Sequence, residues 1–259
     1  MKEQDAFAAF LRDVVNLNQT RLDDLDTRVA AIVACLEADG TFGWRVEEHI
    51  PQGSWAHRTI IKPLPGDEFD ADVLLVLTPE PDWATDPGEY LRQVRAALQR
   101  STTYNGKAER KNRCVRVRYA GDCHVDVVPC IETGGQTQIV NYAEQKFELT
   151  NPDGFTAWMK ARDDTARGNL RKVIRLLKYL RDFKNTFDVP SVILTTLAGE
   201  RVTVMDAPAR YADVPTALKT LLEDLDTHLR ANPTMPDIED PSCPGTSFSH
   251  RLEQPQYET

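Results

Sequence analysis

A chain of 259 residues carries 31 Lys and Arg against 40 Asp and Glu, a formal net charge of −9. That length can bury a sizeable core and suits one two-lobed domain or two small ones, while the acidic balance argues against tight non-specific binding to DNA or RNA. The five cysteines are odd in number and lack a Cys-x-x-Cys pair; with neither a signal peptide nor a long apolar span, they predict a reduced, cytoplasmic protein without a membrane partner.

Gln4 to Leu36 reads as mostly helical. Phe7, Phe10, Leu11, Val14 and Val15 begin an apolar face that Leu22, Leu25, Val29, Ile32, Val33 and Leu36 continue, and Asp39-Gly40 ends it. Trp44 to Ile50 reads as a strand feeding a turn at Gln52-Gly53-Ser54. Glu68-Phe69-Asp70-Ala71-Asp72 then opens the run Val73-Leu74-Leu75-Val76-Leu77, a buried strand. Pro79 to Pro87 is a loop and Gly88 to Gln99 a short helix. Cys114 to Tyr119 and His124 to Pro129 flank a turn at Ala120-Gly121-Asp122 and form a hairpin. Gln136 to Leu149 is a further ribbon. Asn151-Pro152 opens a helix, with Asn as N-cap and Pro at the first position, and the lobe boundary falls there.

From Pro152 onward the pattern is helical. The segment Arg167–Phe183 has an apolar stripe of Leu170, Val173, Ile174, Leu177 and Leu180, with Arg171, Arg175, Lys178 and Asp182 on another face. Pro190 to Leu197 and Val214 to Arg230 are further helices, followed by a polar, proline-rich tail from Asn232.

Strand alternation sends Asp70 and Asp72 from the same face, about 7 Å apart at Cα. Two carboxylates aimed together repel and cost desolvation unless a cation lies between them. Oxygen-only ligands suit a hard ion, Mg²⁺ or Mn²⁺. Chemistry with two ions needs a further ligand, and Asp126 offers it from the hairpin, where it could also take a proton from an attacking hydroxyl. Asp122 competes for that role but belongs to the turn. Gly53 lets the backbone approach a phosphate closely, successive N–H groups make an anion nest, and the Ser54 hydroxyl adds a donor.

Other residues read more plainly. His57 and Arg58 either touch phosphate or lie on the loop surface, and Trp55 reads as packing. Arg92, Arg95, Arg100, Lys107, Arg110, Lys111, Arg113, Arg116 and Arg118 crowd one segment, which reads as a solvated helix face and hairpin edge rather than a nucleic-acid or partner patch. Cys123, His124 and Cys130 lack a complete zinc set, so the cysteines read as buried thiols.

Three passages resemble the bacterial CD-NTases, relatives of cyclic GMP-AMP synthase and oligoadenylate synthase within the DNA polymerase β-type nucleotidyltransferase superfamily. They are Gln52-Gly53-Ser54-Trp55-Ala56 through Asp70-Ala71-Asp72; Glu148-Leu149-Thr150-Asn151-Pro152-Asp153-Gly154-Phe155; and Asn232-Pro233-Thr234-Met235-Pro236. The resemblance implies an α+β fold: a polymerase β-like nucleotidyltransferase core, a mixed sheet with flanking helices, over residues 1–151 with its long N-terminal helix. A helical nucleotide-binding lobe would follow over 152–259.

By the same resemblance, Gln52, Gly53 and Ser54 hold the donor triphosphate, and Asp70, Asp72 and Asp126 carry the metals. Lys178 matches a family lysine and Ser191 a family serine that grip the nucleotide; a solvated helix face and a helix N-cap are the respective alternatives. Val192 stands where some relatives place a base-stacking tyrosine, which leaves base identity open. The implied activity is Mg²⁺-dependent joining of NTPs, ATP and/or GTP, into a cyclic di- or trinucleotide. That messenger would activate a downstream effector in bacterial anti-phage (CBASS) signalling, with a regulatory protein as a further partner. The alternatives are an RNA- or protein-directed nucleotidyltransferase of toxin–antitoxin type and a non-catalytic nucleotide-binding sensor. In the family the tail leads into further helices, so the chain is expected to be C-terminally short and its helical lobe to expose apolar surface.

Overall fold

The computed structural model describes residues 3–121, 123–185 and 187–258. The first half comprises α1 (Glu3–Phe10), a π-helical turn (Leu11–Val15), α2 (Gln19–Glu37), β1 (Val46–Gln52), α3 (Gly53–Ala56), β2 (Phe69–Leu77) and α4 (Gly88–Arg100). Strands β3 (Ala108–Arg110), β4 (Val115–Arg118), β5 (Cys123–Thr133), β6 (Gln136–Asn141) and β7 (Lys146–Thr150) follow. The remainder contains α5 (Pro152–Thr165), α6 (Leu170–Lys184), α7 (Ser191–Glu200), α8 (Ala207–Arg210), α9 (Val214–Ala231) and α10 (Gln254–Tyr257). No helix among the described residues is long and apolar enough to cross a membrane.

The chain divides into two compact units. Asn18–Ala56 and Pro65–Pro152 make the sheet unit; the residues up to Leu17, His57–Leu64 and everything from Asp153 make the helical unit. The N-terminal segment and the stretch after the Gly-Ser turn group with the helices. The reason is local. The long N-terminal helix breaks between Val15 and Gln19, and α2 restarts with the Asn18 side chain accepting from Arg21 N at 2.9 Å, an N-cap that the apolar periodicity conceals. Ahead of the break, Leu11 and Val15 pack with Leu176 and Val214, and Asn16 forms a β-bridge with Ile61.

In the sheet unit the strand order is β1-β2-β5-β4-β3, with β6 joined to the far end of β5 and β7 to β6. Strands β2 and β5 pair in parallel, and the other pairs among the described residues are antiparallel. Side chains alternate between faces. On one face Val73, Leu75, Leu77, Val115, Val117, Val125 and Val127 are fully buried; on the other Leu74, Val76, Cys114, Val128 and Cys130 form a cluster with Ile50 and Ile139. Helices α2 and α4 pack against this sheet. Burial of side chains on both faces explains the unbroken apolar run of β2.

The helical unit has its own core of Met159, Leu170, Val173, Ile174, Leu177, Ile193, Leu197, Tyr211, Ala217 and Leu221, to which the tail adds Ile238 and Leu252. The predicted stripe on α6 holds except at Leu180, which is exposed, whereas Lys178 is buried. The tail is thus a packed segment, pinned by a Glu239–Ser247 bridge and by a capping box between Glu253 and Gln256. Phe183, Val204 and Met205 are exposed apolar side chains of this unit.

Candidate active site

Pairing register builds the site. In the parallel pair, Asp72 lies opposite Asp126 and Asp70 opposite His124. Gln52 of β1 pairs with Asp72, Arg116 of β4 with Asp126, and Arg118 with His124. Paired residues leave the same face of a sheet. One face therefore carries a row of Gln52, Asp72, Asp126 and Arg116 across four strands, and next to it a row of Asp70, His124 and Arg118. The apolar cluster around Leu74 and Val128 continues the same face further along the strands.

Asp126 is almost fully buried, with 6% of its surface exposed. Arg116 meets it with a bidentate fork: Nε donates to Oδ1 and Nη2 to Oδ2, both at 2.8 Å. The Arg116 pKa is raised by that hydrogen bond, with the charges of Asp126, Cys114 and Asp70 adding to it. Burial pushes the neighbouring Cys114 thiol up, and Asp126 pushes it further. In the second row, His124 Nδ1 lies 2.9 Å from Glu68 Oε2, and Arg118 Nη1 donates to the same carboxylate at 3.3 Å. His124 Nε2 is shielded from solvent and has no hydrogen-bond partner among the described residues.

The Gly-Ser turn leads from β1 into α3. Gly53 has φ +66°, and a Cβ there would press on Asp72 Oδ2. The close approach predicted for this glycine is made by the Asp72 carboxylate itself. Ser54 is half-buried at the start of α3, and Trp55 packs nearby with its Nε1 donating to Asp26 Oδ1 at 3.0 Å.

Three carboxylates on adjacent strands form an oxygen-only donor set of the kind a hard divalent cation takes, and in that respect the residues fit one. Among the described residues no three potential ligands are closed around a point that could hold an ion. Asp126 is turned onto Arg116 instead. The competing acid Asp122 lies outside the described residues.

Lys178 and Ser191 belong to the helical unit. Lys178 is 4% exposed, and its Nζ donates to Thr59 O at 3.1 Å and Thr59 Oγ1 at 3.3 Å. This corrects the solvated-face alternative, because the ammonium is turned inward onto the His57–Leu64 segment. Arg175 Nη1 donates to Arg58 O at 3.1 Å on the same segment. His57 is buried rather than on the loop surface, its ring 4.9 Å from that of Phe155. Burial, followed by the charges of Lys178 and Arg171, lowers its pKa to about 4. Ser191 is the first residue of α7, after Pro190 at the N-cap position, and accepts from Arg181 Nη1 at 3.1 Å.

The basic segment is largely consumed internally. Arg100 pairs with Asp39, Arg113 with Glu148, Arg92 with Asp86 and Glu89, Lys111 with Glu109, and Arg110 stacks on Tyr142. Cys123 and Cys130 are buried, and burial raises the Cys130 thiol to about 12. Sequence reasoning missed the roles of Glu68, Arg116 and His124. For Arg116 the signal was available, since the hairpin register places it opposite Asp126.

A mixed sheet with an acid row at the start of its parallel pair and flanking helices is the polymerase β-like nucleotidyltransferase fold. Residues 1–163 match the Second Messenger Oligonucleotide or Dinucleotide Synthetase domain, and the chain belongs to that family. It is 30% identical over 225 residues to a c-di-GMP synthase of Roseivirga ehrenbergii, a match covering 74% of this chain and 59% of that protein. The chain thus spans less than two thirds of that relative's length.

Two solved structures share the fold. The CD-NTase CdnG of Bradyrhizobium diazoefficiens in complex with GTP superposes with a TM-score of 0.77 at 20% identity, over 99% of this chain and 87% of that one. CdnC of E. coli MS115-1 in its HORMA-deltaN complex gives 0.76 at 22%, over 99% and 86%.

Proposed function

We propose that the protein is a divalent-metal-dependent nucleotidyltransferase that joins NTPs into a cyclic di- or trinucleotide. The observation that carries this reading is the register of Asp72 against Asp126, on the same face as Asp70 and beside the Gly53-Ser54 turn. Asp70, Asp72 and Asp126 would hold Mg²⁺ or Mn²⁺, which when bound activates the attacking hydroxyl and neutralises charge on the transferring phosphoryl group.

The chain's own residues supply the rest. The Gly53-Ser54 turn offers N–H groups and a hydroxyl to the donor triphosphate, with Gln52 next to it. Asp126, freed from Arg116, accepts the proton of the attacking ribose hydroxyl. Lys178 and Ser191 are the residues that match the family's nucleotide-gripping lysine and serine, and each would contact a nucleotide phosphate. The ribose hydroxyl would attack the α-phosphorus of the donor triphosphate and displace pyrophosphate, and a second such transfer on the same acids, again releasing pyrophosphate, would close the ring. The c-di-GMP synthase relative and the GTP bound to CdnG support GTP as a substrate, and a CdnC structure with ATP supports ATP. The CdnC–HORMA complex supports a regulatory protein partner. The product would act on a separate effector in cytoplasmic anti-phage signalling.

The test is incubation with labelled NTPs and Mg²⁺ or Mn²⁺, followed by phosphatase treatment and chromatography. A phosphatase-resistant product is expected, and it should vanish in Asp70→Asn/Asp72→Asn. Product retained in that variant would remove the acids from the mechanism. Label attached to RNA or protein would move the reaction to the polymer-directed class. Nucleotide binding without any product would make the protein a sensor.

A further inference from the structure

We propose that Arg116 is an internal counter-ion of the acid row, closing the third carboxylate in the metal-free protein and yielding it when a divalent cation arrives. This rests on the reading of Asp70, Asp72 and Asp126 as metal ligands. A buried carboxylate without a partner would cost several kcal/mol of uncompensated charge. Arg116 removes that cost at Asp126 by presenting two N–H groups, each 2.8 Å from a carboxylate oxygen. The fork takes one lone pair on each oxygen and sets a positive charge beside the carboxylate that a metal would need.

Three further observations separate this arrangement from an ordinary structural ion pair. The Asp126 side chain is 9% exposed and that of Arg116 is 25% exposed, so the arginine is the more solvent-accessible partner of the pair. The charge of Asp70, a second member of the acid set, also acts to raise the Arg116 pKa, after the larger effect of Asp126. The nearest alternative cation on β4, Arg118, is engaged by Glu68 and Glu109 and is paired in register with His124 instead.

Arginine suits this role. Its planar fork matches a carboxylate, it stays charged at any working pH, and it is more weakly hydrated than an ammonium. A lysine would hold the acid at one point only. As a positioning residue Arg116 acts through Asp126, keeping the acid row assembled without metal and setting how strongly a free ion must compete to enter.

The experiment is Mn²⁺ binding to the full chain without nucleotide, followed by calorimetry or by the loss of free Mn²⁺ signal in electron paramagnetic resonance. Arg116→Gln should bind Mn²⁺ about tenfold more tightly than the parent, the factor that a charge-assisted pair of about 1.5 kcal/mol withholds. It should also melt at a lower temperature without metal and gain more from saturating Mn²⁺. Arg116→Lys should fall between the two in affinity, and it carries the comparison if Arg116→Gln fails to fold. A merely structural Arg116 would lower the melting temperature and leave the Mn²⁺ affinity unchanged, which would overturn the proposal while the metal site stands. Absence of Mn²⁺ binding in every variant, or binding indifferent to Asp70→Asn/Asp72→Asn, would overturn the metal reading and this inference with it.

Discussion

Asp126 on the sheet and Lys178 in the helical unit are both nearly buried charges, and they are satisfied in different ways. Asp126 faces an opposite charge, the bidentate guanidinium of Arg116. Lys178 donates to a neutral carbonyl and hydroxyl of Thr59, in a neighbourhood where Arg171 and Arg175 bring more positive charge. The contrast teaches what each group can exchange. An ion pair can trade one cation for another with the carboxylate still neutralised. A buried ammonium that donates to a carbonyl and a hydroxyl ties down the segment that supplies them.

The comparison breaks first at the acids. Asp126→Ala should lower stability by about 1.5–3 kcal/mol, because it removes the charge-assisted fork from Arg116. Asp70→Ala should change stability by less than about 0.5 kcal/mol, since thinning a cluster of like charges relieves repulsion. Urea midpoints of the two variants, measured without metal, decide it. Equal midpoints would mean that the fork on Asp126 contributes nothing, and that the two acids differ only in chemistry.

The sheet half of this contrast was legible because strands expose their logic in sequence. A period of two, an apolar run and a hairpin fix which residues share a face, so Asp70, Asp72 and Asp126 could be grouped before any coordinates. Arg116 escaped notice because it sat in a run of nine basic residues whose other members are engaged at scattered places, such as Arg100 on Asp39 and Arg113 on Glu148. The helical half was less legible. Helical periodicity put Lys178 on the polar face of α6, and the segment carrying Thr59 returns onto that face, where Lys178 is buried. That return is a tertiary event with no local signature. The break at Asn16 to Asn18 was hidden for a similar reason: apolar positions on both sides keep a common period, although their partners lie in different units.

Lys178 sharpens the contrast next. Lys178→Met keeps the length of the side chain and removes the donor, leaving the Thr59 carbonyl and hydroxyl without it. A loss of about 2–3 kcal/mol is expected, together with a raised KM for NTP if the same ammonium grips phosphate. A raised KM with an unchanged urea midpoint would mean that Lys178 serves the ligand alone. A lowered midpoint with an unchanged KM would make it a strap for the His57–Leu64 segment.

The smallest expected effect reads the same cationic neighbourhood through a proton. His57 lies against Phe155 and near Lys178 and Arg171, and its pKa is lowered to about 4, against about 6.5 in an unfolded chain. Between those values the unfolded chain binds a proton that the folded chain refuses, so stability rises with pH through the window. The contribution is complete above about pH 6.5, falls as the pH drops, and is exhausted near the folded value. Between pH 7 and pH 5 the loss should be about 1–2 kcal/mol. His57→Phe, which keeps an aromatic ring beside Phe155, should flatten the urea midpoint across that interval relative to the parent. Matching slopes in the two proteins would show that His57 titrates as freely folded as unfolded, and that the charge of Lys178 is spent on Thr59 without reaching the imidazole.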